Sequence, residues 1–174
     1  MANTVEQEVL DALNQLGILW QLVHHEPVET MEDLAQLDRK LGIKHPKNLF
    51  LCNRQKTSFY LLLMEGRKTF RTATVSKQLG VARLSFANPE YLWSYLKTKP
   101  GGISPFGLLF DQANQVSLVI DRDLQKEEAF CFHPCVQTAS VIIKSKDFFE
   151  VFLPATGHRP IWVNIEPDLT EAVP

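Results

Sequence analysis

The chain has 174 residues, 45% hydrophobic and 22% charged, with a net charge of −2. That length and composition suit one folded domain that needs no disulfides or metal to hold it, and they exclude a disordered chain. A slightly acidic balance also excludes a protein that coats nucleic acid by charge alone, because such binding needs many Lys/Arg–phosphate contacts, although a local basic patch reading one end of an RNA stays open.

The first residues, MANTVEQEVLDALNQLG, carry acids and lack the basic start and apolar stretch of a signal peptide. No apolar run approaches the roughly 20 residues that span a bilayer. Three cysteines is an odd number, which points to free thiols in a reducing cytoplasm. Asn3-Thr4 offers a helix N-cap, and Val5, Val9, Leu10, Leu13 and Leu16 follow at helical spacing up to Gly17. Residues 18–25, ILWQLVHH, read as a short strand. Thr30 with Asp33 resembles a capping box, and the helix it opens turns Leu34, Leu37 and Leu41 inward before stopping at Gly42.

Residues 48–52 and 58–64 are apolar runs around the polar NRQKT and read as a β-hairpin. A short helix is expected over 74–79, ending at Gly80, then a strand over 83–86. Asn88-Pro89 starts another helix, with Leu92, Trp93 and Leu96 on one side. FGLLFD, VSLVID, AFCF and ASVIIK then read as four strands, residues 147–152 as a last helix, and residues from Gly157 onward as an extended tail. The expected fold is a single α+β (irregular α/β) domain over 1–165 with a C-terminal tail at 166–174. It holds a mixed, mostly antiparallel sheet of about six or seven strands surrounded by helices.

Three stretches carry candidate chemistry. CFHPC (131–135) brackets a His-Pro pair with thiols. A zinc site wants four ligands; beyond these only Cys52 and histidines scattered at 24, 25, 45 and 158 remain. On an extended strand Cys135 also lies ~13 Å from Cys131. The spacing is not C-x-x-C, and a Cys–His nucleophile pair would have to be assembled by the fold. Buried cysteines acting as small hydrophobes are the plain alternative. In KHPKNLFL (44–51), Lys47 and Asn48 precede an apolar strand and so sit near a strand end, as site residues or as solvated polar groups at a turn. In GGISPFGLLFD (101–111), two glycines and a proline shape a backbone that can approach a ligand closely, or simply a tight loop. Thr138 and Ser140 are pocket hydroxyls or ordinary strand residues.

Taken in order, Lys47-Asn48-Leu49-Phe50-Leu51, Gly101-Gly102-Ile103-Ser104-Pro105-Phe106-Gly107, and Phe132-His133-Pro134 with Thr138-Ala139 resemble the YbaK/prolyl-tRNA synthetase-associated editing domain family, and within it the PrdX-type free-standing proteins that deacylate Ala-tRNA(Pro). RLSFANPEYL (83–92) and GHRP (157–160) are similar to the same subgroup, so the resemblance covers nearly the whole chain. It implies a YbaK-like fold and hydrolysis of the ester joining a wrong amino acid to the 3′ end of tRNA(Pro), with no metal, no cofactor and no covalent nucleophile. Lys47, the backbone of Gly101 and Gly102, and His133 are implied as catalytic. Asn48, Phe50, Ser104, Pro105, Phe106, Pro134 and Thr138 are implied to bind substrate. The implied partner is the tRNA(Pro) acceptor end, with prolyl-tRNA synthetase or an elongation factor as transient partners, and with no membrane and no DNA.

Two positions depart from the family pattern. Cys52 stands where some members carry a second lysine, whose phosphate contact Arg54, Lys56 or Lys68 would have to supply. Gln137 replaces an asparagine after the His-Pro pair. These departures motivate an alternative: a non-catalytic binding or regulatory protein for aminoacyl-tRNA or a small ligand on the same scaffold.

Overall fold

The computed structural model describes residues 4–168. Asn3 and residues 169–174 of the tail lie outside the described residues. The elements are α1 (Thr4–Gln15), β1 (Trp20–His24), α2 (Met31–Leu41), β2 (Lys47–Cys52), β3 (Phe59–Met64), α3 (Thr72–Leu79), β4 (Ser85–Phe86), α4 (Pro89–Leu96), β5 (Val116–Asp121), β6 (Ala129–Phe132), β7 (Ala139–Lys144), α5 (Ser145–Asp147), α6 (Leu153–Thr156) and β8 (Ile161–Val163). The α+β reading stands. Its strands divide between two sheets: a three-stranded antiparallel sheet in the order β1-β7-β6, and a five-stranded mixed sheet in the order β4-β2-β3-β5-β8. In the latter the β3–β5 and β5–β8 pairs are parallel.

Side-chain alternation explains why the larger sheet is apolar throughout. Leu61 and Leu63 of β3 and Leu118 and Ile120 of β5 face the main core. Leu62, Met64 and Val119 point the other way, onto Val75 of α3 and Val163 and Ile165 of the C-terminal segment. A strand covered on both faces reads as a continuous apolar run, as FYLLLM does. The main core continues into the small sheet through Phe130, Phe132, Phe148 and Phe152, whose rings lie 5.2–5.8 Å apart in successive contacts.

Residues 106–111 are not a strand. Ser104 caps a 3₁₀ helix over Pro105–Phe110, its hydroxyl accepting from the Phe106 amide at 3.1 Å. Proline at the first position presets φ for a helical turn, and this local chemistry overrides the apolar pattern. Gly107 is needed there because a Cβ would meet the Leu96 carbonyl oxygen at 2.7 Å. Trp93 turns outward, 46% exposed, with the Lys97 ammonium over its ring, while Leu92 and Leu96 are buried. The helix expected over 147–152 extends to 145–156. Its middle, Phe148–Phe152, is a π-turn just ahead of Pro154, which has no N–H to continue the α ladder. The tail supplies β8, a three-residue strand beside β5.

Among the described residues no helix is long and apolar enough to cross a membrane.

Candidate active site

The site lies where the small sheet, α2 and the start of β2 meet. The α2 helix is fixed at its N-terminus by a full capping box between Thr30 and Asp33 and ends at Gly42 in the left-handed conformation. The loop after it delivers His45 and Pro46 to the first residues of β2, Lys47 and Asn48. From the small sheet, β6 ends at Phe132 and leads into His133-Pro134, while β7 carries Ser140 opposite Val23 of β1. A cavity of ≈ 310 Å³ opens between these parts. Its walls bring together Lys47, Asn48, Gly101, Ile103 and His133, with Met31, Leu34 and Leu49 on the apolar side. A larger cavity of ≈ 900 Å³ adjoins it, sharing Met31, Leu34, His45 and Lys47 and adding Arg39, Lys44, Arg67 and Lys126.

Thr98 joins the glycine loop to the His-Pro turn. Its hydroxyl oxygen lies 2.9 Å from the carbonyl oxygens of both Gly102 and Cys135, so its single proton is shared between two loops 33 or more residues apart. Cys135 adopts φ +62° and Gly101 φ +92°. At Gly102 a Cβ would sit 2.7 Å from the Thr98 hydroxyl oxygen, so only glycine permits this junction.

Lys47 is half-buried and donates to the Lys68 carbonyl oxygen. That carbonyl is well anchored, because the Lys68 ammonium is buried against Asp121 at 2.8 Å and Asp123 at 2.6 Å. Burial pushes Lys68 down, but the hydrogen bonds and charges of the two carboxylates outweigh it and hold its pKa above the ordinary lysine range. The Asn48 amide donates to the Pro46 carbonyl at 3.1 Å, while its buried Oδ1 has no partner. An unpaired buried acceptor costs about 1–3 kcal/mol.

His133 donates from Nδ1 to the Ala139 carbonyl at 2.8 Å, which assigns the tautomer and leaves Nε2 with a lone pair. Burial pushes its pKa down to about 4; the Ala139 hydrogen bond opposes this, and His45 and His25 add to the fall. It is a neutral imidazole at physiological pH. Behind it stand residues that motif reading missed. His45 stacks on His133 with centroids 5.3 Å apart and contacts Asp38, Ser140 and Cys131. His25 reaches Ser140 from the end of β1. A signal for this pairing was present: His-Pro occurs twice, at 45–46 and 133–134, and those two rings are the stacked ones.

Several expected substrate-binding residues lie elsewhere. Phe50 is buried in the main core against Phe59, and Phe106 is buried against Phe132 and Phe152. Both point from backbone that borders the site into the opposite face, because alternate residues of a strand and the inward side of a 3₁₀ turn supply the core. Ser104 and Pro105 are buried in the cap of that turn, and Pro134 is buried behind His133. Gly102 and Thr138 line a separate cavity of ≈ 310 Å³ with Trp93, Lys97 and Lys99. Cys52 is buried at the far end of β2 from Lys47, Arg54 and Lys56 are exposed in the turn that follows it, and the Lys68 ammonium is committed to its two carboxylates. None of these supplies a second cation beside Lys47.

The thiols are inert packing groups. Cys52, Cys131 and Cys135 are free and buried. Burial pushes the Cys131 pKa up to about 12 and raises that of Cys135 further, so neither is a thiolate at neutral pH. Among the described residues no group of three or more His, Cys, Asp and Glu is arranged to hold a metal ion.

The chain matches the family model of the aminoacyl-tRNA editing domain over residues 25–151. It is 31% identical over 153 residues to the prolyl-tRNA editing protein ProX of Acetoanaerobium sticklandii, covering 88% of this chain and 93% of the relative. It is also 31% identical over 163 residues to prolyl-tRNA synthetase associated domain-containing protein 1 of Mus musculus, covering 91% and 95%. A solved structure described as a candidate trans-editing enzyme for prolyl tRNA synthetase superimposes with a TM-score of 0.72 at 18% identity, over 95% of this chain and 100% of that one, and shares its fold. With the matched residues spanning α2, β2, the glycine loop and the His-Pro turn, the chain belongs to the aminoacyl-tRNA editing domain family and is an aminoacyl-tRNA deacylase.

Proposed function

We propose that this protein removes a wrong amino acid from tRNA(Pro) in trans, in the cytoplasm, with alanine as the favoured residue. The observation that carries the reading is the convergence of Lys47, Asn48, Gly101 and His133 on one small cavity. The aminoacyl group occupies that cavity, and the terminal nucleotide and its phosphate extend into the adjoining larger one, toward Arg39 and Lys44, with Lys47 at the shared wall.

The chemistry is ester hydrolysis. Water attacks the carbonyl carbon, the C–O bond to the ribose breaks, and the leaving oxygen takes a proton. The neighbouring ribose hydroxyl of the substrate assists, so the protein needs to position the ester and stabilise developing negative charge. Lys47 supplies a fixed positive charge, the backbone of Gly101 supplies dipoles, and neutral His133 offers a lone pair at Nε2. Met31, Leu34, Leu49 and Ile103 set the cavity's size, which admits alanine and rejects proline by clash; such steric exclusion underlies editing selectivity. The test is deacylation of purified Ala-tRNA(Pro), Ser-tRNA(Pro), Cys-tRNA(Pro) and Pro-tRNA(Pro). Alanine should be released fastest, prolyl-tRNA should stay intact, and Lys47→Ala should lose most activity with the fold unchanged. Equal hydrolysis of alanyl- and prolyl-tRNA, or full activity without Lys47, would overturn the proposal.

A further inference from the structure

The residues behind His133 contain more hydrogen-bond acceptors than a neutral network can satisfy. His25 Nδ1 lies 2.8 Å from the Glu26 carbonyl oxygen, which only accepts, so this nitrogen carries a proton. His45 Nδ1 faces the Asp38 carboxylate, which assigns its proton in the same way. In neutral imidazoles both Nε2 atoms would then be acceptors. Yet both contact one oxygen, Ser140 Oγ, at 2.8 Å from His25 and 2.9 Å from His45. Ser140 has one proton and can satisfy only one of them; the other contact would set lone pair against lone pair. The Cys131 thiol, 3.2 Å from His45 Nε2, does not remove the conflict, because Ser140 Oγ still faces that same nitrogen.

We propose that His25, Ser140 and His45 hold one extra proton between them, with the Asp38 carboxylate as counter-ion, and that this charge adds to burial in keeping His133 a neutral base at the cavity wall. The three are positioning residues for His133. With Asp38 ionised, two arrangements satisfy both Ser140 contacts. In one, His25 is doubly protonated and donates to Ser140 Oγ, which donates to His45 Nε2. In the other, His45 is doubly protonated and donates to Ser140 Oγ, which donates to His25 Nε2. They interconvert by moving one proton from nitrogen to oxygen while the serine proton moves from oxygen to the other nitrogen, so charge is conserved and no heavy-atom bond changes. Burial pushes His45 toward its neutral form, with Asp38 opposing.

The groups facing the network are Asp38 from α2, Cys131 from β6, and the His133 ring from the turn after β6, 5.3 Å from His45 and 5.9 Å from His25. Asp38 is the only carboxylate among them, and it balances the charge on the side of His45 away from Ser140. A cation so close to His133 disfavours a second cation there, which keeps its Nε2 lone pair available. The purpose of the device rests on the deacylase reading; the proton count does not.

The test is long-range ¹H–¹⁵N spectroscopy of the histidines in the full, substrate-free chain, so that it reads the network whether or not the deacylase reading holds. At pH 7 the wild type should show His133 as the neutral Nδ1–H tautomer and a doubly protonated signature shared by His25 and His45. His25→Gln keeps an amide N–H for Ser140 Oγ but removes the titrating ring, so it should fold and lose the doubly protonated signature. Ser140→Ala should uncouple the two rings, so that they titrate independently. In both variants His133 should take up a proton at higher pH than in the wild type. Two neutral rings at His25 and His45 in the wild type at pH 7, or a His133 titration unmoved in both variants, would overturn the proposal.

Discussion

Acidification tests the environment of His133 directly. Its ordinary pKa of about 6.5 falls to about 4 in the folded chain, first through burial. Between those values the unfolded chain binds a proton that the folded chain does not, so stability falls as pH drops from about 6.5 to about 4. A displacement of about 2.5 units corresponds to about 3 kcal/mol lost by pH 4 relative to pH 7. The control is His133→Asn, whose amide N–H replaces Nδ1–H toward the Ala139 carbonyl but does not titrate. Urea unfolding of both proteins at half-unit steps from pH 7 to pH 4 isolates the effect, because His45 and the carboxylates are common to both. The wild type should lose about 3 kcal/mol more than the variant over that range. Parallel curves, within about 0.5 kcal/mol throughout, would refute the claim that a buried neutral imidazole sits at this wall.

Two further perturbations probe what holds the site. Ala at Gly102 places a Cβ against the Thr98 hydroxyl and within 3.3 Å of the Cys135 backbone, and should cost about 1–3 kcal/mol by thermal unfolding. Ala at Gly101 meets the Gln137 side chain, closest at its amide oxygen, and is strained by φ +92°, so adding Gln137→Ala should recover only the contact part of the loss at Gly101 and none at Gly102. Lys68→Met leaves the buried Asp121 carboxylate without its cation and should destabilise by about 3–5 kcal/mol, with Asp121→Asn in the same chain restoring part of it in a double-mutant cycle.

Local signals in the sequence were reliable where local chemistry decides the structure. The Thr30–Asp33 box, the stop at Gly42 and the apolar runs of β2, β3, β5, β6 and β7 all stand where periodicity and capping place them. Residues 105–110 show the limit: FGLLFD has a strand's apolar content, but Ser104 and Pro105 just before it dictate a helical turn. The division into two sheets was not legible, because β3–β5 and β1–β7 pair residues more than 50 and more than 100 positions apart, and nothing local encodes the partner. The same holds for the site. Lys47, Gly101 and His133 could be picked as motif members, but Phe50 and Phe106 lie beside motif residues and face the core. A motif marks a stretch of backbone, while the pleat decides which of its side chains reach the cavity.

The walls of the cavity favour water as the nucleophile. CFHPC invites a thiol mechanism, yet Cys131 stands behind His45, and Cys135 presents its carbonyl to Thr98 from a buried turn. The one hydroxyl side chain on the cavity wall, Thr30, accepts from the Asp33 amide as the cap of α2. Besides apolar side chains, what lines the cavity is the Lys47 ammonium, the Asn48 amide, the Glu29 carboxylate, glycine backbone and the imidazoles of His45 and His133. Such a set can orient an aminoacyl ester and stabilise charge as it develops, but it offers no activated group to take the acyl chain. If the reaction runs on water and the substrate's own hydroxyl, as proposed above, its rate should follow the placement of Lys47 and His133 more closely than the presence of any cysteine. Cys131→Ala and Cys135→Ala together should weaken packing while leaving deacylation in place.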